Sequence, residues 1–261
     1  MAIDAADLPL LLREAAARPF AGSLLTLGRQ EVTLTARAVR ALASRLALAV
    51  PKPAALEGLD GDARLDDARL FAALGFSRSD SMDVSAYEGA SVLHDLNAAD
   101  LPPDLAGRFD VVFDRGTTEH VFHVPNALSA IARLCRVGGR VMHLSPSTNH
   151  MDHGFVMFSP CLLHGFYAAN GFEVVRVEMI RQPWLDRHPV IEIRDYAPGC
   201  LDNFPAGSFD DAGYQVFVVA EKRPGATHDR APKFRPTKAE GYGLGAAMRI
   251  RLDDSMSGRA G

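Results

Sequence analysis

Apolar residues along the chain form two patterns, short continuous runs and longer stretches with helical spacing. Short runs bounded by turn residues predict buried strands, whereas apolar positions three or four residues apart predict amphipathic helices. The predicted strands are 23–27, 81–84, 90–94, 110–113, 140–144, 171–180 and 214–220. The predicted helices are 7–18, 33–50, 66–74, 125–136 and 159–169. Because strands and helices alternate, the pattern favours an α/β fold around a mostly parallel sheet.

Two regions depart from this alternation. Residues 181–213 contain several prolines and glycines, which predicts a long irregular insertion between the last two strands. The segment from Arg223 onward is rich in Gly, Pro, Arg and Lys and poor in large apolar residues, so it cannot repay the entropy of folding by itself. We therefore expect a single domain over 1–222 and a flexible tail over 223–261.

The composition argues against several classes of protein. The 261 residues, 48% of them hydrophobic, suffice for one sizeable core, and a net charge of −4 without a run of Lys or Arg disfavours nucleic acid as a partner. Three dispersed cysteines (Cys135, Cys161 and Cys200) fit neither a disulfide framework nor a thiolate metal site. No apolar run approaches the roughly 18 residues that favour a membrane-spanning helix, and the N-terminus lacks a signal-peptide pattern. We expect a cytoplasmic protein with no membrane partner.

The stretch Phe109–His120 carries the most informative chemistry. It is a short apolar strand that ends on Asp114 and is followed by Glu119 and His120 before a predicted helix. A Gly138-Gly139 turn then leads into the next strand. Small molecules bind parallel α/β sheets at the carboxyl ends of the strands, so the functional residues are expected at those ends.

This stretch resembles the fourth-strand motif of the class I S-adenosylmethionine-dependent methyltransferases. Asn170–Val175 is similar to the sixth strand of that family, in which a Gly-Phe pair precedes the strand. The resemblance extends from about residue 20 to residue 222. It implies a Rossmann-like, seven-stranded, mostly parallel sheet with an antiparallel last strand and helices on both faces, and it implies S-adenosylmethionine as cofactor.

The resemblance also implies a set of cofactor-binding residues. Asp83, at the end of the second strand, would accept hydrogen bonds from the ribose hydroxyls. Asp95 and Leu96 match the position that contacts adenine, and Asp114 matches the position near the methionine moiety and the substrate. The alternative for Asp83 and Asp95 is an ordinary turn or capping role.

The first-strand motif departs from the family pattern. Thr26 stands where the family has an acid, and only Gly28 keeps its glycine, so the glycine-rich motif is degenerate. Arg29 and Gln30 are predicted to pair with the carboxylate or amine of the cofactor instead, the alternative being that both are solvated loop residues. The segment from Pro51 to Leu65 is predicted to loop out of the sheet.

The acceptor side is expected at the ends of the fourth and fifth strands. His153 is our first candidate for the catalytic base and His150 the second, since imidazole titrates near neutral pH, and Glu119 and His120 are further candidates. Glu119 is alternatively an acid favoured by a helix N-terminus, and His120 a packed histidine beneath the loop. A metal cluster of His150, Asp152 and His153, joined by His143 or His164, is less favoured because the surrounding residues predict a loop. We therefore predict no metal site.

The predicted function is methyl transfer from S-adenosylmethionine to an oxygen or nitrogen of a small-molecule or carbohydrate-like (glycan) acceptor. A first alternative is a non-catalytic binding or scaffold protein that has the same fold but has lost the cofactor. A nicotinamide-dependent oxidoreductase is disfavoured because no Gly-x-Gly-x-x-Gly motif follows the first strand. A hydrolase is disfavoured because Ser145 lies outside a Gly-x-Ser-x-Gly motif.

Overall fold

The computed structural model describes residues 2–59, 62–183, 189–201, 209–233 and 246–253. Its helices are α1 (Leu8–Ala17), α2 (Ala36–Arg45), α3 (Asp67–Leu74), α4 (Val124–Leu134) and α5 (Pro160–Ala169). Its strands are β1 (Ala2–Ile3), β2 (Ser23–Leu27), β3 (Glu31–Val32), β4 (Arg78–Asp83), β5 (Val92–Leu93), β6 (Phe109–Arg115), β7 (Cys135–Thr148), β8 (Phe172–Gln182), β9 (Val190–Asp195), β10 (Gly213–Lys222) and β11 (Met248–Arg251). Every predicted helix and strand corresponds to one of these elements.

A nine-stranded sheet organises the chain, with the order β11-β9-β8-β10-β7-β6-β2-β4-β5. The strands from β5 to β7 are parallel, and β10 lies antiparallel between β7 and β8. If the seven predicted strands are numbered along the chain, they lie in the order 3-2-1-4-5-7-6, with the last one antiparallel. The predicted Rossmann-like α/β fold is therefore confirmed. The predicted strand number is too low, since β9 and β11 extend the sheet beyond β8.

The two additional strands come from regions where the sequence predicts no regular structure. β9 lies within the predicted irregular insertion 181–213, and β11 lies within the predicted flexible tail. Ile193 of β9 pairs with Met248 of β11, and Ile250 of β11 is buried. A short segment that cannot fold by itself is thus ordered by the backbone partners and the apolar neighbours that β9 provides.

The tail also contacts the domain before it reaches β11. The Thr227 hydroxyl donates to the side-chain oxygen of Asn170 (2.8 Å), and the Arg230 amide donates to the same oxygen (3.0 Å). The remaining parts of the insertion and the tail, 184–188, 202–208, 234–245 and 254–261, lie outside the described residues.

Helices cover both faces of the sheet, as predicted. Neighbouring residues of the central strand β2 point to opposite faces, so Leu24 packs into the apolar layer that includes α1, α2 and α3, whereas Leu25 packs into the layer that includes α4 and α5. Both side chains are fully buried. Within the described part of the chain, no helix has the length and the apolar character required to cross a membrane.

Local signals explain where the helices begin and end. The Thr35 hydroxyl accepts from the Ala38 amide at the start of α2, and the Asp66 carboxylate accepts from the Arg69 amide at the start of α3. Gly75 ends α3 with φ +120°, and a Cβ there would lie 2.7 Å from the Phe20 carbonyl oxygen. The two-residue strands β1 and β3, which pair with each other, are too short to produce a recognisable apolar pattern.

Candidate functional site

The carboxyl ends of the parallel strands place most of the predicted site residues along one edge of the sheet. Leu27, at the end of β2, lies beside Met82 of β4 on one side and Asp114 of β6 on the other. Asp114 in turn lies beside His143 of β7. The strand order therefore places the predicted cofactor residues on the β2–β5 side and the predicted acceptor residues on the β6–β7 side.

On the cofactor side, Asp83 and Asp95 both act as turn residues. Asp83 is half-buried and its Oδ1 accepts from the Ser85 amide (3.0 Å). Asp95 is exposed, and its Oδ1 accepts from the amide and the side-chain nitrogen of Asn97 (2.8 and 3.0 Å). The Asn97 amide, then its side chain, hold the pKa of Asp95 below its usual value. Leu96 is buried beside it.

The polar side chains of the first loop contact the loop itself and the neighbouring backbone. Gly28 has φ +68°, in the left-handed region that favours glycine, and its amide donates to the Met82 carbonyl (2.7 Å). Gln30 is buried and donates to the Leu27 and Gly28 carbonyls, which closes the turn upon itself. Arg29 donates to the Glu88 carbonyl (3.2 Å) and lines a cavity of about 510 Å³ between this turn and α3.

Asp114 is the centre of a fully satisfied buried network, which we call the Asp114 pocket. Its carboxylate accepts from the Thr117 amide (3.1 Å), the Thr118 amide (3.2 Å), the Thr118 hydroxyl and His143 Nδ1 (2.8 Å). His143 Nε2 contacts the Tyr167 hydroxyl of α5 at 2.6 Å. Burial acts to raise the pKa of Asp114, but the His143 ring and the Thr118 contacts outweigh it and hold that pKa below its usual value.

The predicted role of Asp114 depends on this placement. Its side chain has no exposed surface, so it faces the β6–α4 loop and His143 rather than the open edge. Asp114 can therefore act on a bound molecule through the loop that it holds in place.

Glu119 is as deeply buried as Asp114 but lacks comparable partners. Among the described residues, neither of its carboxylate oxygens has a hydrogen-bond partner. The nearest basic atoms are His153 Nε2 at 3.5 Å and His120 Nε2 at 3.9 Å from its Oε1. Burial, with a smaller contribution from the negative charge of Asp114, raises the pKa of Glu119 to about 8. We call Glu119, His120 and His153 the Glu119 cluster.

Backbone contacts clamp the β7–α5 loop onto the Glu119 cluster. The Phe155 and Val156 amides both donate to the Glu119 carbonyl (2.7 and 3.2 Å). Gly154 makes this approach possible, because a Cβ there would lie 2.7 Å from the same carbonyl oxygen. His153 is thereby held against Glu119.

His150 lies next to this cluster. It is buried, and its ring centroid is 5.8 Å from that of His153. Burial, followed by the neighbouring His153, lowers the pKa of His150. The structure thus brings together the three residues that the sequence proposed for the acceptor side, Glu119, His150 and His153.

Sequence reasoning left one member of this region open and missed the roles of two others. His120, considered as a base with a packed histidine as the alternative, has a side chain that is 47% exposed, and its ring lies 5.3 Å from that of His153. His143 was considered only as a metal ligand, and Tyr167 was not considered. The signal in the sequence was that Asp114 and His143 lie in consecutive predicted strands, but the register that pairs them comes from the structure. His164 lies on α5, away from the cluster, and lines a different cavity.

No protein-family profile and no curated protein matches the chain. Solved structures are similar to it. A candidate methyltransferase from Bacillus halodurans is 13% identical, with 83% of this chain and 99% of that chain covered and a TM-score of 0.46. The 1,6-didemethyltoxoflavin-N1-methyltransferase of Burkholderia thailandensis, solved with S-adenosylhomocysteine, is 16% identical, with coverages of 84% and 78% and a TM-score of 0.41.

The fold assignment rests on the sheet itself rather than on these similarities. The seven predicted strands have the parallel arrangement and the antiparallel last strand that the sequence resemblance implies for class I methyltransferases. Fold does not determine reaction, so the function has to be argued from the residues at the edge of the sheet.

Proposed function

We propose that this protein transfers a methyl group from S-adenosylmethionine to an oxygen or nitrogen of a small-molecule or carbohydrate-like acceptor. The observation that carries the proposal is the division of the carboxyl edge into two sides. Gly28, Asp83 and Asp95 lie on the β2–β5 side, and Glu119 and the two histidines of the β7–α5 loop lie on the β6–β7 side. Glu119 itself belongs to the loop that the Asp114 carboxylate holds through Thr117 and Thr118.

On the cofactor side, each residue has a proposed role. The second carboxylate oxygen of Asp83 accepts from the ribose hydroxyls, and Asp95 with Leu96 contacts the adenine. Gly28 allows the backbone to approach the amino-acid end of the cofactor, with Arg29 and Gln30 beside it. Asp114 acts through the Thr117 and Thr118 amides, which fix the β6–α4 loop near the sulfonium.

The reaction requires alignment more than bond activation. Bound S-adenosylmethionine would supply a methyl carbon activated by the positive sulfur, whose bond to that carbon would break, leaving the electron pair on sulfur, as the acceptor bonds to the methyl group. His153, the first candidate base, would take the proton that the acceptor loses. Holding the two reactants in line accounts for most of the acceleration expected from such a site. We propose that the acceptor atom lies next to His153, our first candidate for the base. His150 is the second candidate, and Glu119 is a further one.

One observation favours the non-catalytic alternative. The side-chain nitrogen of Gln30 donates to the carbonyls of its own turn. Thr26 replaces the acid of the first-strand motif; it is buried, and its hydroxyl donates to the Asp80 carbonyl. These contacts leave the amino-acid end of the cofactor with fewer partners than the family pattern provides. Cofactor binding therefore decides between the two functions.

Calorimetric titration of the full chain with S-adenosylmethionine and S-adenosylhomocysteine tests the proposal. We expect binding of one molecule per chain, and we expect Asp83→Ala to weaken it by about tenfold or more, the value of a hydrogen bond to a charged group. Asp104→Ala, an exposed acid outside the edge, is the matched control. The absence of heat and of a thermal shift at millimolar ligand would favour the scaffold alternative, and fluorescence titration with NADH tests the oxidoreductase.

A further inference from the structure

We infer that the Glu119 cluster binds one divalent transition-metal ion through the Glu119 carboxylate and the His120 and His153 imidazoles. The inference rests on the proposed function only for the position of the acceptor. The ion site depends only on the geometry of the Glu119 cluster. It differs from the sequence-based prediction, which was that the protein has no metal site.

The first argument is the spacing of the donor atoms. One ligand atom from each residue can be chosen so that all three lie within 4.8 Å of one another. The separations from Glu119 Oε1 are 3.5 Å to His153 Nε2 and 3.9 Å to His120 Nε2. Metal–ligand bonds of about 2.0–2.2 Å allow one ion to contact such atoms after small side-chain adjustments.

The second argument is the state of the Glu119 carboxylate. It is fully buried, both of its oxygens lack a hydrogen-bond partner in the described structure, and it points toward the two imidazoles. Buried polar groups are nearly always satisfied, and a buried charge requires a partner. The guanidinium of Arg115, the last residue of β6, has its Nε bonded to Asp7 at 3.0 Å.

The third argument is that the cluster is rigid on one side and open on the other. The clamp of Phe155 and Val156 on the Glu119 carbonyl fixes the two loops relative to each other. The His120 and His153 side chains are 47% and 53% exposed, so the solvent side of the cluster remains accessible. Three protein ligands with open positions are the arrangement of catalytic rather than structural metal sites.

The donor set indicates which ions fit. Two imidazole nitrogens and one carboxylate oxygen suit Zn²⁺, Co²⁺, Fe²⁺ or Mn²⁺, whereas Mg²⁺ and Ca²⁺ prefer ligand sets made only of oxygen. An ion at this position would act as a Lewis acid toward an acceptor oxygen or nitrogen and favour loss of its proton to solvent. His153 would then act on the acceptor through the ion rather than by direct contact.

Metal titration of the full, untagged chain tests the inference. The chelator-treated protein is titrated with Zn²⁺ in a calorimeter and with Co²⁺ by visible absorption, with Mg²⁺ as the oxygen-preferring comparison. We expect one Zn²⁺ or Co²⁺ per chain and no binding of Mg²⁺. Glu119→Gln, His120→Ala and His153→Ala should each weaken Zn²⁺ binding by about 10- to 100-fold or more. His123→Ala, which removes an exposed histidine outside the cluster, should leave it unchanged.

The variants keep the outcome interpretable. Glu119→Gln preserves the shape of the buried side chain, and His120→Ala removes a half-exposed ligand without disturbing the core. Circular dichroism in the presence of chelator checks that each variant is folded. Unaltered Zn²⁺ affinity in folded Glu119→Gln and His153→Ala, or no Zn²⁺ binding by the parent protein, overturns the inference. Since no cofactor is present in these titrations, failure of S-adenosylmethionine binding would overturn the proposed function and leave the ion site standing.

Discussion

The Asp114 pocket and the Glu119 cluster lie next to each other on the β6–α4 loop, and each is built around a carboxylate with no exposed surface. In the first, two threonines and a histidine satisfy the carboxylate. In the second, the described residues offer it only two imidazoles beyond ordinary hydrogen-bond distance. Two carboxylates of equal burial thus differ in their hydrogen bonding. The Asp114 carboxylate has all its hydrogen bonds within the protein, whereas the Glu119 carboxylate has none among the described residues and could accept a ligand.

The difference shows how to separate stability from function in this molecule. A satisfied buried network contributes to folding, and an unsatisfied one costs free energy unless a ligand completes it. Exchanging each carboxyl for an amide of nearly the same shape measures this difference directly.

The largest effect is expected for Asp114→Asn. The amide replaces one of the two acceptor oxygens by an NH2 donor, which faces either the Thr117 and Thr118 amides or the Thr118 hydroxyl and His143. Because buried acceptor contacts are lost in either orientation, the unfolding free energy should fall by about 3 kcal/mol or more. Urea unfolding followed by circular dichroism measures the change. Asp83→Asn, at a half-buried turn position on the other side of the edge, should cost less than about 1 kcal/mol. Equal losses in the two variants would show that the Asp114 pocket is not the structural element described above.

The next effect depends on pH and concerns Asp7, which accepts a hydrogen bond from Arg115 at the end of β6. Burial raises the pKa of Asp7 from 3.8 to about 6, although the charge of Arg115 opposes the shift. The folded protein therefore binds this proton more tightly than the unfolded chain, and the resulting stabilisation is present below about pH 4 and lost as the pH rises through 6. The unfolding free energy of the parent, minus that of Asp7→Asn, should fall by about 2 kcal/mol between pH 4 and 7, at about 1.4 kcal/mol per pKa unit. A difference that does not vary with pH would show that Asp7 is ionised throughout this range.

An intermediate effect is expected when the clamp on the Glu119 cluster is forced open. The Cβ of Gly154→Ala would lie 2.7 Å from the Glu119 carbonyl oxygen and 3.0 Å from its Cγ. We expect a loss of about 1–3 kcal/mol, typical of overpacking, together with weaker Zn²⁺ binding. At Gly165 on α5 the added Cβ would lie 3.2 Å from the Pro232 Cβ, and alanine favours the helix, so Gly165→Ala should change stability by less than about 1 kcal/mol. Normal Zn²⁺ binding by Gly154→Ala would separate the clamp from the ion site.

The smallest effect is expected for Glu119→Gln in the presence of chelator. Because the carboxylate has no hydrogen bond to lose among the described residues, the unfolding free energy should stay the same or rise by up to about 1 kcal/mol. The matched control is Glu178→Gln. That carboxylate is equally buried but bonded to Arg13 (2.8 Å) and Arg176 (3.1 Å), so its replacement should cost about 1–3 kcal/mol. Equal losses for both glutamates would contradict the contrast between satisfied and unsatisfied carboxylates.

Most of the fold could be predicted from the sequence because its signals are local. β2 is a continuous apolar run that ends at a glycine, and α3 lies between a capping aspartate and Gly75. β9 and β11 could not be predicted, because each is a strand only through its pairing with a distant part of the chain. Their regions also contain prolines and polar residues that dilute the periodic pattern.

The candidate site could be predicted only as far as strand topology determines it. The rule that ligands bind at the carboxyl ends of parallel strands correctly indicated that Glu119, His150 and His153 lie near one another. It could not show that Asp114 is covered and Glu119 unsatisfied, since this depends on the register that places His143 beside Asp114. The clamp at Gly154 depends on a close backbone approach, for which a single glycine in a loop is a weak signal.

The pairing of β11 with β9 has a consequence for the behaviour of a shortened chain. A protein that ends after Lys222 would keep all seven strands of the predicted sheet, yet the backbone groups of β9 that bond to β11 would face water, with Ile191 and Ile193 beside them. An open, apolar sheet edge is a template for strands from other molecules. We expect the shortened protein to self-associate in light scattering, whereas the full chain protects this edge with its own last described strand.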